Sequence, residues 1–103
     1  MQYFALFYDT VEGFTERRMP FRTGHLQRVQ EAHDRGELLL AGALADPADR
    51  ALLVFRAHDR STVDSFAQSD PYVLNGLIRQ WSVRAWTQVI ATAPGENALV
   101  RRR

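Results

Sequence analysis

The sequence predicts an α+β fold: a four-stranded antiparallel sheet covered on one face by two helices, in the chain order β-α-β-β-α-β. Three observations carry this. Residues 20–35 and 61–69 place apolar side chains at helical spacing. Four apolar or alternating runs flank them and read as strands. Gly36, Asp46-Pro47 and Asp70-Pro71 fall at boundaries between the runs.

The elements follow in order. Gln2 to Tyr8 (QYFALFY) is aromatic-rich and apolar on both alternating faces, a buried first strand. A loop, DTVEGF, leads to a short turn, TERR, that Thr15 is placed to cap. Pro20 suits the first turn of the main helix, where its missing N–H costs nothing. That helix runs to about Arg35 and stops at Gly36. Glu37 to Leu44 (ELLLAGAL) is the second strand, and Ala51 to Arg56 (ALLVFR) the third, joined by a loop marked by Asp46-Pro47. Ser61 to Ser69 forms the second helix, with Ser61 and Asp64 in capping-box spacing. Asp70-Pro71-Tyr72 ends it, and VLNGL makes a turn or half-helix. Gln80 to Ile90 alternates as the last strand, with Trp81 and Trp86 on opposite faces. Residues 92–103 have no period and read as a flexible tail, leaving 1–91 as one domain.

This order is the ferredoxin-like split βαβ arrangement, whose right-handed crossovers put both helices on the same side of the sheet. The first three strands are nevertheless apolar on both faces. One helical layer covers only one of them. The expected solution is a second copy stacked sheet to sheet, a twofold homodimer.

Composition narrows function mainly by exclusion. With 103 residues, 46% hydrophobic and 24% charged, the chain is an ordinary globular domain. Thirteen basic residues, all Arg, against twelve acidic ones give a net charge of +1, which offers no electrostatic argument for nucleic acid. Zero Cys rules out disulfides, thiol catalysis and cysteine metal sites. No apolar run approaches the roughly 18 residues of a membrane span, and the first residues lack the pattern of a secretion signal, so no membrane partner and a cytoplasmic location are expected. There is no Gly-rich phosphate loop and no G-x-S-x-G elbow, and the His spacings do not match a zinc helix, so neither metal nor cofactor is expected.

One residue stands out. His25 lies in the middle of the apolar stripe of the first helix, with Phe21, Val29 and Ala32 within roughly 40° of it at about 100° per residue. An imidazole there needs a partner or a purpose. Its plain reading is a core histidine bonded to a carbonyl or carboxylate. For catalysis it needs a carboxylate to orient it, and Asp70 is the candidate. Asp70 also suits the N-cap of the turn beginning at Pro71. The fold can bring the start of the first helix near the end of the second, so a contact between the two is permitted. Arg22 lies about 60° from His25, one turn nearer the helix start, where a guanidinium could hold an anionic or phenolic oxygen. Tyr72 could line the same pocket or simply pack. His33 and His58 read as boundary and surface residues.

The chain resembles the YciI-like family, small proteins related in fold to muconolactone isomerase. The matching pieces are the aromatic first strand, Arg22-x-x-His25-Leu26, Gly36 followed by ELLLAG, the LLVF third strand, Asp70-Pro71-Tyr72 and the long final strand. Where that family often has Gly-Pro after the second strand, this chain has Gly42-Ala43. The resemblance implies a ferredoxin-like fold, sheets stacked in a dimeric α/β barrel and a His–Asp site at His25 and Asp70. It also implies at least one relative that eliminates chloride from a chlorinated hydroxyquinol.

The expected function is a cofactor-independent enzyme moving protons on a small cyclic or aromatic-derived metabolite: an isomerase, a lyase or a dehydrochlorinase-like activity. His25 would be base and then acid, Asp70 its orienting partner, with Arg22 and Tyr72 on the substrate. The rival is a non-catalytic dimeric module that binds a small ligand or stabilises a partner, with His25 a buried structural residue.

Overall fold

In a computed structural model, residues 1–90 are described. The order is β1 (Gln2–Thr10), α1 (Phe14–Arg17), a 3₁₀ turn (Met19–Phe21), α2 (Arg22–Asp34), β2 (Leu38–Ala43), β3 (Arg50–Ala57), α3 (Ser61–Ser69), α4 (Pro71–Leu74) and β4 (Ile78–Trp86). The strands form one antiparallel sheet in the order β2-β3-β1-β4. This is the expected ferredoxin-like architecture. The expected tail, residues 92–103, lies outside the described residues. Among the described residues no helix is long and apolar enough to cross a membrane.

Alternation along β1 builds the core. Phe4, Leu6 and Tyr8 point to the helical side, where they meet Phe55, Leu53 and Ala51 of β3 and Val83 of β4 across the ladder. Ala32 of α2 and Val63, Phe66 and Ala67 of α3 close over them in the same cluster, so both long helices cover one face. Phe66 meets Phe55 edge-on at 5.2 Å. Arg28 fastens the two helices together. Its guanidinium donates to the Phe66 carbonyl at 3.0 Å and to Ser69 Oγ at 2.7 Å, and lies 4.6 Å from the centre of the Phe66 ring.

The opposite face of the sheet is also apolar, but none of the described residues covers it. Tyr3, Phe7 and Leu52 are half-buried there, while Leu40 is 69% exposed and Trp86 50%. Trp81, by contrast, packs on the core, so the two tryptophans do lie on opposite faces.

Several element ends depart from expectation for local reasons. Pro20 sits in the 3₁₀ turn, and the regular helix begins only at Arg22. Thr15 caps nothing, because Gly13 at φ +74° is the N-cap of α1. The Ser61–Asp64 capping box does not form. Asp59 accepts from the Ser61 backbone instead, and Asp64 pairs with Arg60. A bulge between Leu38 and Leu40 breaks the alternation of β2, so Leu38 and Ala41 share the helical side while Leu40 faces out. β4 starts at Ile78 and ends at Trp86, short of Ile90, because Trp86 is opposite Tyr3 near the start of β1 and no partner strand continues.

Gly36 (φ +80°) and Gly76 (φ +73°) close α2 and α4 in the same way. In each case the glycine N–H returns to the carbonyl three residues back, and the next N–H to the one five back, as a Schellman motif requires. The second closure delivers Leu77 into the core.

Leu6 is fully buried at the centre of the sheet. Leu6→Ala is expected to lower the unfolding free energy by about 2–5 kcal/mol in urea titration. A loss under about 1 kcal/mol would mean that this face is not the core.

Candidate active site

Asp70 is the first piece. The proline that follows it disfavours helical backbone, so the chain turns extended at Asp70 (φ −68°, ψ 128°) between α3 and α4. Its Oδ1 then accepts the Tyr72 backbone N–H at 3.0 Å, a regular N-cap. Its side chain is completely buried. A carboxylate in that position needs further donors.

It finds two. Tyr8, brought inward by the alternation of β1, donates its hydroxyl to Oδ2 at 2.7 Å. His25, on the inward side of α2, places Nδ1 2.9 Å from Oδ1 and 3.0 Å from Oδ2. α2 and α4 pack closely here: a Cβ at Gly24 would stand 3.6 Å from the Pro71 ring, an ordinary van der Waals contact. Because Asp70 receives donors on every side, the contact with His25 is made by an Nδ1–H. Nε2 makes no hydrogen bond among the described residues, and it is not sealed from solvent.

An aromatic wall frames the imidazole. The Tyr72 ring stacks on it with centroids 3.8 Å apart and planes 11° from parallel. Phe14 meets Tyr72 edge-on at 5.2 Å, and the Arg18 guanidinium lies 5.4 Å from the centre of the Phe14 ring. Beside this wall is a cavity of about 400 Å³ between α2 and the sheet, at the small end of ligand-site sizes. His25, Arg22 and Tyr72 all line it, with Leu26 and Val29 of α2 and the small residues Ala41 to Ala43 of β2.

Burial, and secondarily the Asp70 charge and hydrogen bond, push the Tyr8 hydroxyl far above the ordinary tyrosine range. Burial also raises Tyr72, while the nearby Arg18 and Arg22 guanidiniums work against it. Both phenols are protonated donors at neutral pH.

The four residues singled out in the sequence, Arg22, His25, Asp70 and Tyr72, thus lie at one place. His33 holds the Leu38 carbonyl at 2.8 Å and ties α2 to β2, while His58 is exposed in the loop after β3. Among the described residues no three His, Asp or Glu side chains are grouped to hold a metal ion. Sequence reading missed Tyr8, Phe14 and Arg18. Only Tyr8 carried a signal: a phenol at an inward position of a buried strand needs an acceptor.

Fold and site together define a small ferredoxin-like domain in which a buried carboxylate grips the imidazole edging a compact cavity. Residues 1–87 match the model of the YCII-related domain, and the chain belongs to that family. It is 30% identical over 83 residues to protein YciI of Escherichia coli O6:H1 and to protein YciI of Shigella flexneri. Each match covers 72% of this chain and 85% of the relative. Among solved structures, the 5-chloro-2-hydroxyhydroquinone dehydrochlorinase from Burkholderia phenoliruptrix, in complex with 2,5-dihydroxybenzoquinone, superposes with a TM-score of 0.70. That match is 18% identical and covers 82% of this chain and 93% of that one. An antibiotic biosynthesis monooxygenase aligns with a TM-score of 0.54 at 14% identity, over 87% of this chain and 100% of that one. At these identities the two structures share the fold.

Two outcomes follow from the geometry. Asp70→Ala removes the α4 cap and strands the Tyr8 and His25 donors, so a loss of about 2–4 kcal/mol is expected in denaturant titration. Tyr8 holds its proton more tightly in the folded chain than in the unfolded one. Its contribution is therefore complete below an ordinary tyrosine pKa of about 10 and lost as pH rises above it. Unfolding free energy should fall between about pH 9 and pH 11, and less steeply in Tyr8→Phe. Equal slopes in the two proteins would contradict this.

Proposed function

We propose that the chain is a cofactor-independent enzyme that moves a proton on a small cyclic or aromatic-derived metabolite, in an isomerase, lyase or dehydrochlorinase-like reaction. One observation carries the reading: the imidazole of His25 is held at Nδ1 by a fully buried carboxylate, while Nε2 has no partner among the described residues and the ring borders a cavity. A histidine with only a structural role has no need of a free, solvent-connected nitrogen. In this reading Nε2 takes a proton from the substrate, and Asp70 stabilises the imidazolium that results. The same nitrogen then returns the proton to a second atom or to a departing group. Arg22, which lines the cavity, steadies the oxygen on which charge develops. Tyr72 contributes the face against which the imidazole and the substrate are kept in place. The fold shared with a dehydrochlorinase supports a small-molecule site of this kind without specifying the substrate.

The test is proton exchange into deuterated water, read by NMR on a panel of ring-sized hydroxyquinols, enols and lactones that includes 5-chloro-2-hydroxyhydroquinone. The wild-type chain should exchange at least one of them, and His25→Ala should lose about a hundredfold or more with its circular dichroism intact. Exchange that survives in His25→Ala removes His25 as the base. If no member exchanges and His25→Ala only lowers the melting temperature, the non-catalytic binding module is the better reading.

We also infer a homodimer in which the outer sheet faces of two copies meet. Leu40, Leu52, Phe7 and Trp86 form an apolar surface that none of the described residues covers, and a second copy offers the matching surface. Sedimentation velocity should give a dimer, and Leu40→Arg, at a position 69% exposed in the single chain, should give a folded monomer. A wild-type monomer at about 100 μM would overturn the assembly.

A further inference from the structure

Among the described residues, two buried side-chain polar atoms lack a hydrogen-bond partner: Arg18 Nε and the Tyr72 hydroxyl. Both residues line the cavity beside His25. Folded proteins leave few such groups unanswered, because each has given up water without replacement. Two of them in one cavity point to a ligand. Arg22 stands close enough to the Tyr72 hydroxyl to favour its ionised form, but a guanidinium can only donate, so the phenol proton is still without an acceptor.

The chemistry of the missing partner follows from the donors. A guanidinium Nε–H can only donate, and the Tyr72 phenol, 4% exposed and flanked by arginines, offers its O–H. The cavity is lined by two arginines, Arg18 and Arg22, and by no Asp or Glu. Asp70 stands behind His25 with its oxygens occupied by Tyr8, His25 and the Tyr72 backbone. Apart from His25 and the two tyrosines, the rest of the lining is apolar. A neutral hydroxyl would leave this positive lining unanswered, whereas an anion with two oxygens answers both donors and the charge.

We propose that Arg18 Nε–H and the Tyr72 hydroxyl form a binding pole for a carboxylate that the substrate carries before any reaction, on an apolar body about the size of one ring. Arg18, Phe14, Tyr72 and His25 follow one another along the cavity wall, so a ligand held at the pole lies against the imidazole. The proposal deepens the acid/base reading by naming the substrate class, and it rests on that reading only for where the reacting atom sits. Binding itself does not depend on it.

The experiment is an NMR titration of the full chain with benzoate and with its uncharged counterpart benzamide. Benzoate should bind saturably and shift the His25 ring signals, with an affinity about tenfold or more above that of benzamide. Arg18→Met should erase the difference. Tyr72→Phe keeps the ring stack but lacks the hydroxyl. It should weaken benzoate binding about threefold or more, yet melt no lower than wild type without ligand, because it removes a buried group that had no partner. His25→Ala should keep the preference for benzoate. Equal affinity for the two probes, no binding of benzoate, or an undiminished preference in Arg18→Met would each overturn the proposal. So would a lower melting temperature of unliganded Tyr72→Phe, which would show the hydroxyl already partnered. A benzoate preference that holds while proton exchange fails removes the acid/base reading alone.

Discussion

The structure is organised around one buried carboxylate. Taking Asp70 fully out of water is tolerable only if its oxygens are met by donors, and an ionised carboxyl without them is among the costliest things a small domain can bury. The donors come from three separate elements: a phenol from β1, an imidazole from α2 and a backbone N–H from α4. Satisfying all three at once fixes how α2 sits against the sheet and against α4. Most contacts in the core are apolar and could slide by a fraction of an ångström. This one sets the register.

Two readings of Asp70 that compete in the sequence coexist in the molecule. As an N-cap it should bond the backbone of Tyr72, and as a partner of His25 it should face α2. It does both, because one carboxylate has lone pairs enough for several donors. Capping fixes the carboxylate, and the fixed carboxylate then orients the imidazole. Tyr72 is shared in the same way, its backbone held by Asp70 and its ring stacked on His25. A charge held by the backbone of a neighbouring helix does not drift when the imidazole rotates or changes protonation. That steadiness is what an orienting group has to supply.

Much of this was legible from residue patterns, and the exceptions have definite causes. The four strands and two long helices showed in alternation and helical spacing, and Gly36 marked the end of α2. The bulge in β2 did not, because ELLLAGAL reads as apolar on both faces whichever residue is extra. The false capping box came from correct spacing at Ser61 and Asp64, where the turn begins one residue earlier and Asp59 takes the role. The limit of β4 depends on how far β1 extends, which is a property of the partner strand. At the site, Arg22, His25, Asp70 and Tyr72 carried local signals: a position on a wheel, or a place before or after a proline. Tyr8 is separated from Asp70 by 62 positions and Arg18 sits in an irregular turn, so only the folded chain places them.

The presence of a histidine on an apolar stripe has its explanation in how loosely that stripe is packed. The stripe of α2 is not fully packed. Ala32 alone is fully buried, Phe21 and Val29 are partly so, and Leu26 is 44% exposed. Facing them on β2 are Ala41 and Ala43, whose small side chains leave open the volume that larger residues would fill. A helix whose apolar side borders empty space gives up hydrophobic stabilisation that a pair of larger residues could restore. The same cavity leaves two donors unanswered, a second cost in the same place. Natural chains retain such local losses where the vacated space has a use, and both losses here border the free side of His25. Packing and polar satisfaction fail together at one point, and that coincidence marks the site more firmly than the imidazole does alone.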